Sequence, residues 1–249
     1  MIVVVTSWRG IGASTTAFLL AAQLTGDEPA WLVEADPAGG VWAGRVDVAP
    51  TKIAGLEHVA FGPSGLEPFE QFSEVAQPVG AVRVITAPAD PYRAFTCHRP
   101  RVAWPAMLGS LPGDVVVDAG RHRSGSPVGA LWRVADVVVL VTSPEVADVV
   151  ASGEWLRANG RVAADEPGIG DVPCRVAVVA APGGVSFSEQ AIHSDLGDRF
   201  GAWLDWEPTT VDLMLRGASA TDRRLRRSAL LVGTHRLADA VRHSAEVLV

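Results

Sequence analysis

The sequence contains almost no lysine. Of its 249 residues 21 are basic, and Lys52 is the only lysine among them, so any chemistry that needs a lysine must use Lys52 or do without. Two cysteines, Cys97 and Cys174, are too few for a disulfide framework or a zinc site. The net charge of −7 argues against a surface that tracks nucleic-acid phosphates.

Long apolar runs are also lacking, because none reaches the roughly 18 residues that a membrane-spanning helix needs. No basic segment precedes the apolar start Ile2–Val5, so a secretory signal peptide is not expected. Apolar residues make up 48% and charged residues 20%, which is typical of globular proteins. We expect one cytoplasmic α/β domain over residues 1–249.

Six short β-branched runs predict strands that are buried on both faces of a sheet, because none alternates apolar and polar residues. Helical stretches lie between several of them, which predicts a doubly wound, mainly parallel sheet flanked by helices. The predicted strands are Ile2–Val5, Trp31–Val33, Val82–Thr86, Val115–Asp118, Val137–Thr142 and Arg175–Ala180, and the predicted helices are Thr16–Leu24, Arg93–Leu108, Pro144–Asn159, Glu189–Phe200 and 208–249.

A glycine-rich loop joins the first strand to the first helix, where backbone N–H groups can cradle an anion. A working phosphate loop has a lysine directly before its Ser/Thr pair, but here Ala13 stands there. Arg9 is the nearest substitute cation, although its planar guanidinium group is not interchangeable with the ammonium group of a lysine. The candidate loop residues are Arg9, Gly10, Ile11, Gly12, Ala13, Ser14 and Thr15.

Residues 1–45 resemble the start of the MinD/ParA group of P-loop ATPases, which includes septum-site, plasmid-partition and CpaE/TadZ-type pilus-localising proteins. The family loop reads K-G-G-x-G-K-T-T. Here Trp8 replaces its first, signature lysine and Ala13 its phosphate lysine. The resemblance implies the family's P-loop NTPase fold. The degenerate Walker A motif predicts that ATP is not turned over, because that reaction depends on electrostatic positioning of the phosphates.

The likeness continues along the chain. The segment Glu34–Gly39 resembles the family motif D-x-D-P-Q-G, with Glu34 and Asp36 as its acids. The strand ending in Asp118 resembles the Walker B strand, whose Asp holds Mg²⁺ through water, so Ser14 and Asp118 would hold Mg²⁺ if it bound. The strand that ends at Ala180 resembles one that ends in a base-reading Asn, which is missing here.

The three carboxylates leave alternatives open. Glu34 and Asp36 can be a metal or general-base pair, or acids that accept hydrogen bonds from backbone N–H groups or from Arg9. Asp118 ends a buried strand and needs a partner, which Ser14 or Arg121 can supply without a metal.

Other residues have both a functional and a structural interpretation. Trp8 can plug the place of a nucleotide or contact a partner. Cys97 beside His98 can be a nucleophile, although nothing else in the sequence supports this. His122 is expected to be a solvated loop residue. An arginine cluster near the C-terminus can touch lipid, nucleic acid or an acidic partner, or form a solvated helix face paired with Asp222; it consists of Arg223, Arg224, Arg226 and Arg227.

The first functional hypothesis is a non-catalytic scaffold, a pseudo-ATPase that acts through contacts with an unidentified protein. It would position a division, segregation or pilus/secretion machine, recruited by a partner to the membrane or pole. No cofactor or metal is expected, any homodimer would be independent of ATP, nucleic acid is not expected and membrane contact is at most peripheral. The alternatives are a divergent ATPase that uses Arg9 or Lys52, and a DNA-binding partition protein.

Overall fold

The computed structural model describes residues 1–46, 55–62, 65–160, 168–183, 186–219 and 222–246. Its strands are β1 Ile2–Ser7, β2 Ala30–Glu34, β3 Gln77–Val79, β4 Val82–Ile85, β5 Val115–Arg121, β6 Val137–Thr142, β7 Cys174–Ala180 and β8 Phe200–Asp205. They form one sheet in the order β3-β4-β2-β5-β1-β6-β7-β8. Every neighbouring pair is parallel except β3 and β4. The predicted mainly parallel, doubly wound sheet is confirmed.

Helices cover both faces of the sheet, as parallel strands joined by crossovers require. They are α1 Ala13–Leu24, α2 Leu56–Phe61, α3 Pro68–Val75, α4 Pro91–Thr96, α5 Trp104–Met107, α6 Val146–Arg157, α7 Glu189–Leu196, α8 Pro208–Leu215 and α9 Ala229–Glu246. On one face α1 packs against α9 around Leu20 and Leu237. The core of the other face includes Trp31, Trp104 and Trp132, all buried.

The two outermost strands, β3 and β8, were not predicted from the sequence. In β8 buried and partly exposed residues alternate, unlike the continuous apolar runs used to find the central strands. The helix predicted over Glu189–Phe200 ends at Leu196, and Phe200 already belongs to β8. Gly197 directly follows the helix and has a φ of 52°, a backbone conformation that residues with a side chain rarely adopt.

Two predicted helices are interrupted, and α2 and α3 were not predicted. The helix over Arg93–Leu108 divides into α4 and α5, with Pro100, which has no N–H to continue the helix, in the turn between them. The segment 208–249 divides into α8 and α9. The arginines of the cluster between them lie in turns and not on a helix face.

His122 is buried, contrary to the expectation of a solvated loop residue. Its ring lies among tryptophans, with centroids 5.6 Å from Trp132 and 6.0 Å from Trp155. Within the described ranges, no helix is both long and apolar enough to cross a membrane.

Candidate functional site

The sheet register brings the predicted acids to one place. Glu34 at the end of β2 is paired with Asp118 of β5, which is also paired with Val5 of β1. The strand order reverses around β1, whose neighbours are β5 and β6. In open α/β sheets ligands bind beyond the carboxyl ends of the strands at such a switch point.

The glycine-rich loop follows β1 and is closed by the side chain of Ser7, the last residue of that strand. Gly10 and Gly12 have φ values of 80° and 67°, which a side chain rarely adopts. The Oγ of Ser7 accepts hydrogen bonds from the N–H of Gly10 at 2.9 Å and of Ile11 at 3.1 Å. Two of the N–H groups that could cradle a phosphate therefore already have an acceptor.

Arg9, the predicted substitute for the lost lysine, is directed to a different element. Its Nε lies 3.2 Å from Oδ1 of Asp148 on α6, and Oδ2 of the same carboxylate accepts a hydrogen bond from the Ser143 hydroxyl at 2.6 Å. The position of the phosphate lysine, Ala13, is buried at the start of α1. Lys52 lies outside the described residues.

Sequence reasoning missed Arg45, which lies closer to the helix start. Its Nη1 is 3.4 Å from the Oγ1 of Thr15, and its guanidinium carbon lies 5.5 Å from the centroid of the Trp42 ring. The sequence shows only that a basic residue follows β2 at a short distance. Its approach to Thr15 could not be predicted, because it depends on the conformation of the intervening turn.

Asp118 is fully buried and accepts two hydrogen bonds within the protein. The indole Nε1 of Trp42 donates to its Oδ2 at 3.2 Å, and the N–H of Gly120 donates to its Oδ1 at 3.1 Å. The Ser14 hydroxyl lies beside the carboxylate and favours its charged form. Burial raises the pKa of Asp118 although these hydrogen bonds lower it. Of the two partners considered from the sequence, Ser14 is the one in contact.

Glu34 is buried and binds backbone, as one of its two interpretations expected. Its Oε1 accepts a hydrogen bond from the N–H of Trp42 at 3.0 Å and another from that of Val41, and its Oε2 accepts one from Ala87 at 2.8 Å. The pKa of Glu34 is raised to about 7, chiefly by burial and also by the charge of Asp118, against the backbone donors, which lower it. Glu34 therefore fixes the chain around Trp42.

Asp36 is partly buried and also accepts from backbone. Its Oδ1 accepts a hydrogen bond from the N–H of Ala38 at 2.8 Å. Burial raises the pKa of Asp36, and the charge of Asp118 adds to this effect. A side chain on Gly120, which has a φ of 61°, would collide with the Asp36 carboxylate. The glycine is therefore required for the two strand ends to approach.

Magnesium and ATP, which the family resemblance implies, would meet a site whose polar groups are partly taken. The carboxylate of Asp118 already accepts hydrogen bonds from Trp42 and Gly120, which leaves it fewer free acceptor sites for a metal-bound water. Arg9 is paired away from the loop. Among the described residues no group of three or more His, Cys, Asp or Glu side chains is arranged to hold a metal ion.

Beside the closed loop lies an open cavity of about 610 Å³. It is bounded by the loop at Gly10–Gly12, by the end of β7 at Val179, by the end of β8, and by α8 and α9. Trp8 does not line it and packs instead against the core of the opposite face. Trp8 therefore does not plug this cavity, and its role as a partner contact stays a prediction.

The remaining sequence candidates lie elsewhere. All four arginines of the cluster are exposed, and Arg224 pairs with Asp222, with Nη2 2.7 Å from Oδ2. Cys97 is fully buried, and burial raises the pKa of its thiol to about 11, which opposes the thiolate that a nucleophile needs. These observations favour the structural interpretation of Cys97.

Comparison with solved structures identifies the fold. A ParA family ATPase from Chlorobium tepidum TLS is 15% identical, with 95% of this chain and 96% of that chain covered and a TM-score of 0.71. The cell division ATPase MinD of Pyrococcus furiosus is 16% identical, with 97% and 98% covered and a TM-score of 0.68. The septum site-determining protein MinD of Pyrococcus horikoshii OT3, complexed with Mg-ADP, is 17% identical, with 100% and 99% covered and a TM-score of 0.65.

No protein-family model matches the sequence, and no curated protein matches it significantly. Identities this low establish the architecture and not the activity. The likeness nevertheless runs over nearly the whole length of both partners in each comparison. The chain therefore has the fold of the MinD/ParA group of P-loop ATPases, as its sequence motifs suggested.

Proposed function

We propose that this protein is a non-catalytic scaffold of the MinD/ParA type that works through protein contacts. The observation that carries the proposal is the set of donors on Asp118. A fully buried carboxylate that corresponds to the metal-holding acid of the family accepts hydrogen bonds from Trp42 and Gly120, with the Ser14 hydroxyl beside it. It is stable without Mg²⁺, because buried acids need partners and these are already present.

The loop supports the same proposal. The hydroxyl of Ser7 occupies the N–H groups of Gly10 and Ile11, and Ala13 supplies no charge where a phosphate loop has its lysine. A charge-assisted hydrogen bond contributes about 1.5–3 kcal/mol, so losing both lysines removes a large part of the affinity for a triphosphate. Other proteins of this fold are named as a cell division ATPase and a septum site-determining protein. In line with those names, the proposed role is to position a division, segregation or pilus machine, but without a cycle of ATP binding and hydrolysis.

The two alternatives have less support. An ATPase that uses Arg9 would have to break its ion pair with Asp148, a carboxylate that is itself buried. A DNA-binding role rests on the exposed arginine cluster of a chain with a net charge of −7. Retention on DNA that falls steeply with salt would favour this role.

Light scattering with and without Mg·ATP, combined with a phosphate-release assay, tests the proposal. We expect the same mass in both conditions and phosphate release equal to that of the Asp118→Ala variant, which serves as the background. Formation of a dimer only with ATP, or release that Asp118→Ala abolishes, would show that the protein cycles with nucleotide and would overturn the scaffold.

A further inference from the structure

The cavity beside the loop, of about 610 Å³, is within the usual size range of a site for a small molecule. Its walls are largely apolar and come from the loop, α1, β7, β8, α8 and α9. Burying an apolar molecule against these walls would remove apolar area of both partners from water. The apolar side chains that line the cavity include Ile11, Leu19, Val179, Leu204, Val211 and Leu230.

Glu207, an acid that lines the cavity, already has donors on both of its carboxylate oxygens. Its Oε2 accepts hydrogen bonds from the hydroxyls of Thr210 at 2.7 Å and Ser228 at 2.6 Å. Its Oε1 accepts them from the N–H of Ala229 at 2.9 Å and of Leu230 at 3.4 Å. Glu207 therefore serves as the cap of α9 and leaves little acceptor capacity for a ligand.

The other charged groups on the wall are paired or reach water. Asp212 forms an ion pair with Arg216, with Nη2 2.9 Å from Oδ2. Asp205, at the end of β8, is partly exposed. Arg45 lies over the ring of Trp42, with its guanidinium carbon 5.5 Å from the ring centroid. A cation in this cavity would therefore have to compete with existing partners or with water for every acid on the wall.

The helix starts beside the cavity offer an anion little more. The first N–H groups of α9 donate to Glu207, and α8 begins with Pro208, which has no N–H. Before α1, the N–H groups of Gly10 and Ile11 donate to Ser7. An anion would thus depend on the remaining N–H groups of α1, against three carboxylates on the same wall.

We propose that this cavity binds a small neutral molecule with an apolar, ring-containing body. A charged group would lose its hydration here without gaining a free partner, whereas an uncharged apolar body gains from burial. The exposed ring of Trp206 on the wall offers an aromatic face to a ring of the ligand. The inference rests on the proposed function, because a protein that binds ATP at the loop would use the same space for the nucleoside.

Calorimetric titration with three probes of matched size tests the inference: phenylpropanol, phenylpropylamine and phenylpropanoate. We expect the alcohol to bind about tenfold more tightly than either charged probe, because an unpaired charge is costly to take from water. Binding of the amine or of the carboxylate as tight as that of the alcohol, or no binding of the alcohol, would overturn the proposal.

Matched valine variants locate the site. Val211 is partly buried on α8 and lines the cavity, whereas Val232 is exposed on α9 and does not line it. Val211→Thr keeps the shape of the side chain and places a hydroxyl in the apolar wall, so it should weaken binding of phenylpropanol about threefold or more. Val232→Thr should leave binding unchanged. Equal effects of the two variants would place the alcohol elsewhere and overturn the site.

Mg·ATP in the same titrations separates this inference from the proposed function. Failure of both phenylpropanol and ATP to bind overturns the cavity ligand and leaves the scaffold standing. Tight ATP binding that displaces phenylpropanol overturns the scaffold, and with it the inference that the cavity serves a neutral ligand.

Discussion

Two neighbouring regions at the carboxyl end of the sheet differ in how far the protein encloses their acids. In the loop region Glu34 and Asp118 are buried, and both are hydrogen-bonded to the protein around Trp42. In the adjacent cavity the walls are apolar and open, and Asp212 on its wall faces solvent. The difference teaches that the acids of the loop region are held by donors of the protein itself, while the space beside them is open.

Substitution of Trp42 should have the largest effect on stability, because this side chain packs and hydrogen-bonds within the loop region. Its ring packs 5.3 Å from that of Phe18, and its indole reaches Asp118. Trp42→Ala should lower the free energy of unfolding by about 3–5 kcal/mol, as expected for a large buried side chain. Urea unfolding followed by circular dichroism measures this loss.

Trp42→Phe is the matched control, because it keeps a ring but removes the donor to Asp118. We expect a smaller loss, about 1–3 kcal/mol, from a buried acceptor deprived of one partner. Unfolding free energies unchanged in both variants would mean that Trp42 does not close the region.

The pH dependence of stability should also distinguish the loop region. Burial raises the pKa of Glu34 to about 7, so the folded state binds a proton that the unfolded state has released. The contribution of Glu34 to the free energy of unfolding is therefore complete at pH values below the ordinary pKa of a glutamate. It is lost as the pH rises through 7, and the total loss is about 3 kcal/mol. Unfolding measured between pH 4.5 and 8 should show this slope. Glu34→Gln should flatten it, and Glu74→Gln, at an exposed position, should not.

The contribution of Glu207, on the cavity side, to the free energy of unfolding should change with pH in the opposite direction. Burial opposes its charge, but hydrogen bonds from Ser228, Thr210 and the N–H groups of Leu230 and Ala229 outweigh this and lower its pKa. Its contribution is therefore present above the usual carboxyl range and is lost as the pH falls.

Because Glu207 also caps the start of α9, Glu207→Ala should cost about 2 kcal/mol in urea unfolding. Glu207→Gln should cost less and should flatten the acid side of the stability curve. An acid side as steep as in the unsubstituted protein would contradict this assignment.

Substitutions in the arginine cluster should have the smallest effect on stability. Replacing Arg223, Arg224, Arg226 and Arg227 by Gln together should leave thermal stability nearly unchanged, because exposed ion pairs contribute little. The same variant should elute from a DNA column at the salt concentration of the unsubstituted protein. A large decrease in that salt concentration would favour the partition alternative.

The sequence predicted the centre of the fold better than its edges. Strands β1 and β5 are continuous apolar runs because both their faces are buried, and such runs are visible without a structure. In β8 the pattern alternates, and β3 is a three-residue edge strand that contains Pro78. Edge strands carry less of the apolar signal from which strands were predicted.

The candidate site was predicted in part. Glu34, Asp118 and Ser14 could be placed together because strand ends and the helix after a glycine-rich loop meet at a switch point. The role of Trp42 could not, since it depends on how the chain turns back after β2 to bring the indole to Asp118. The pairing of Arg9 with Asp148 depends in the same way on the packing of α6 against the loop.

Calorimetric titration with Mg·ATP, at protein concentrations that detect a Kd near about 1 mM, tests the central claim most directly. The account predicts no heat beyond dilution for the unsubstituted protein, because Ala13 supplies no charge for the phosphates and the N–H groups of Gly10 and Ile11 already donate to Ser7. Micromolar binding by the unsubstituted protein would contradict it and would mean that another group, such as Arg45, performs the role of the missing lysine.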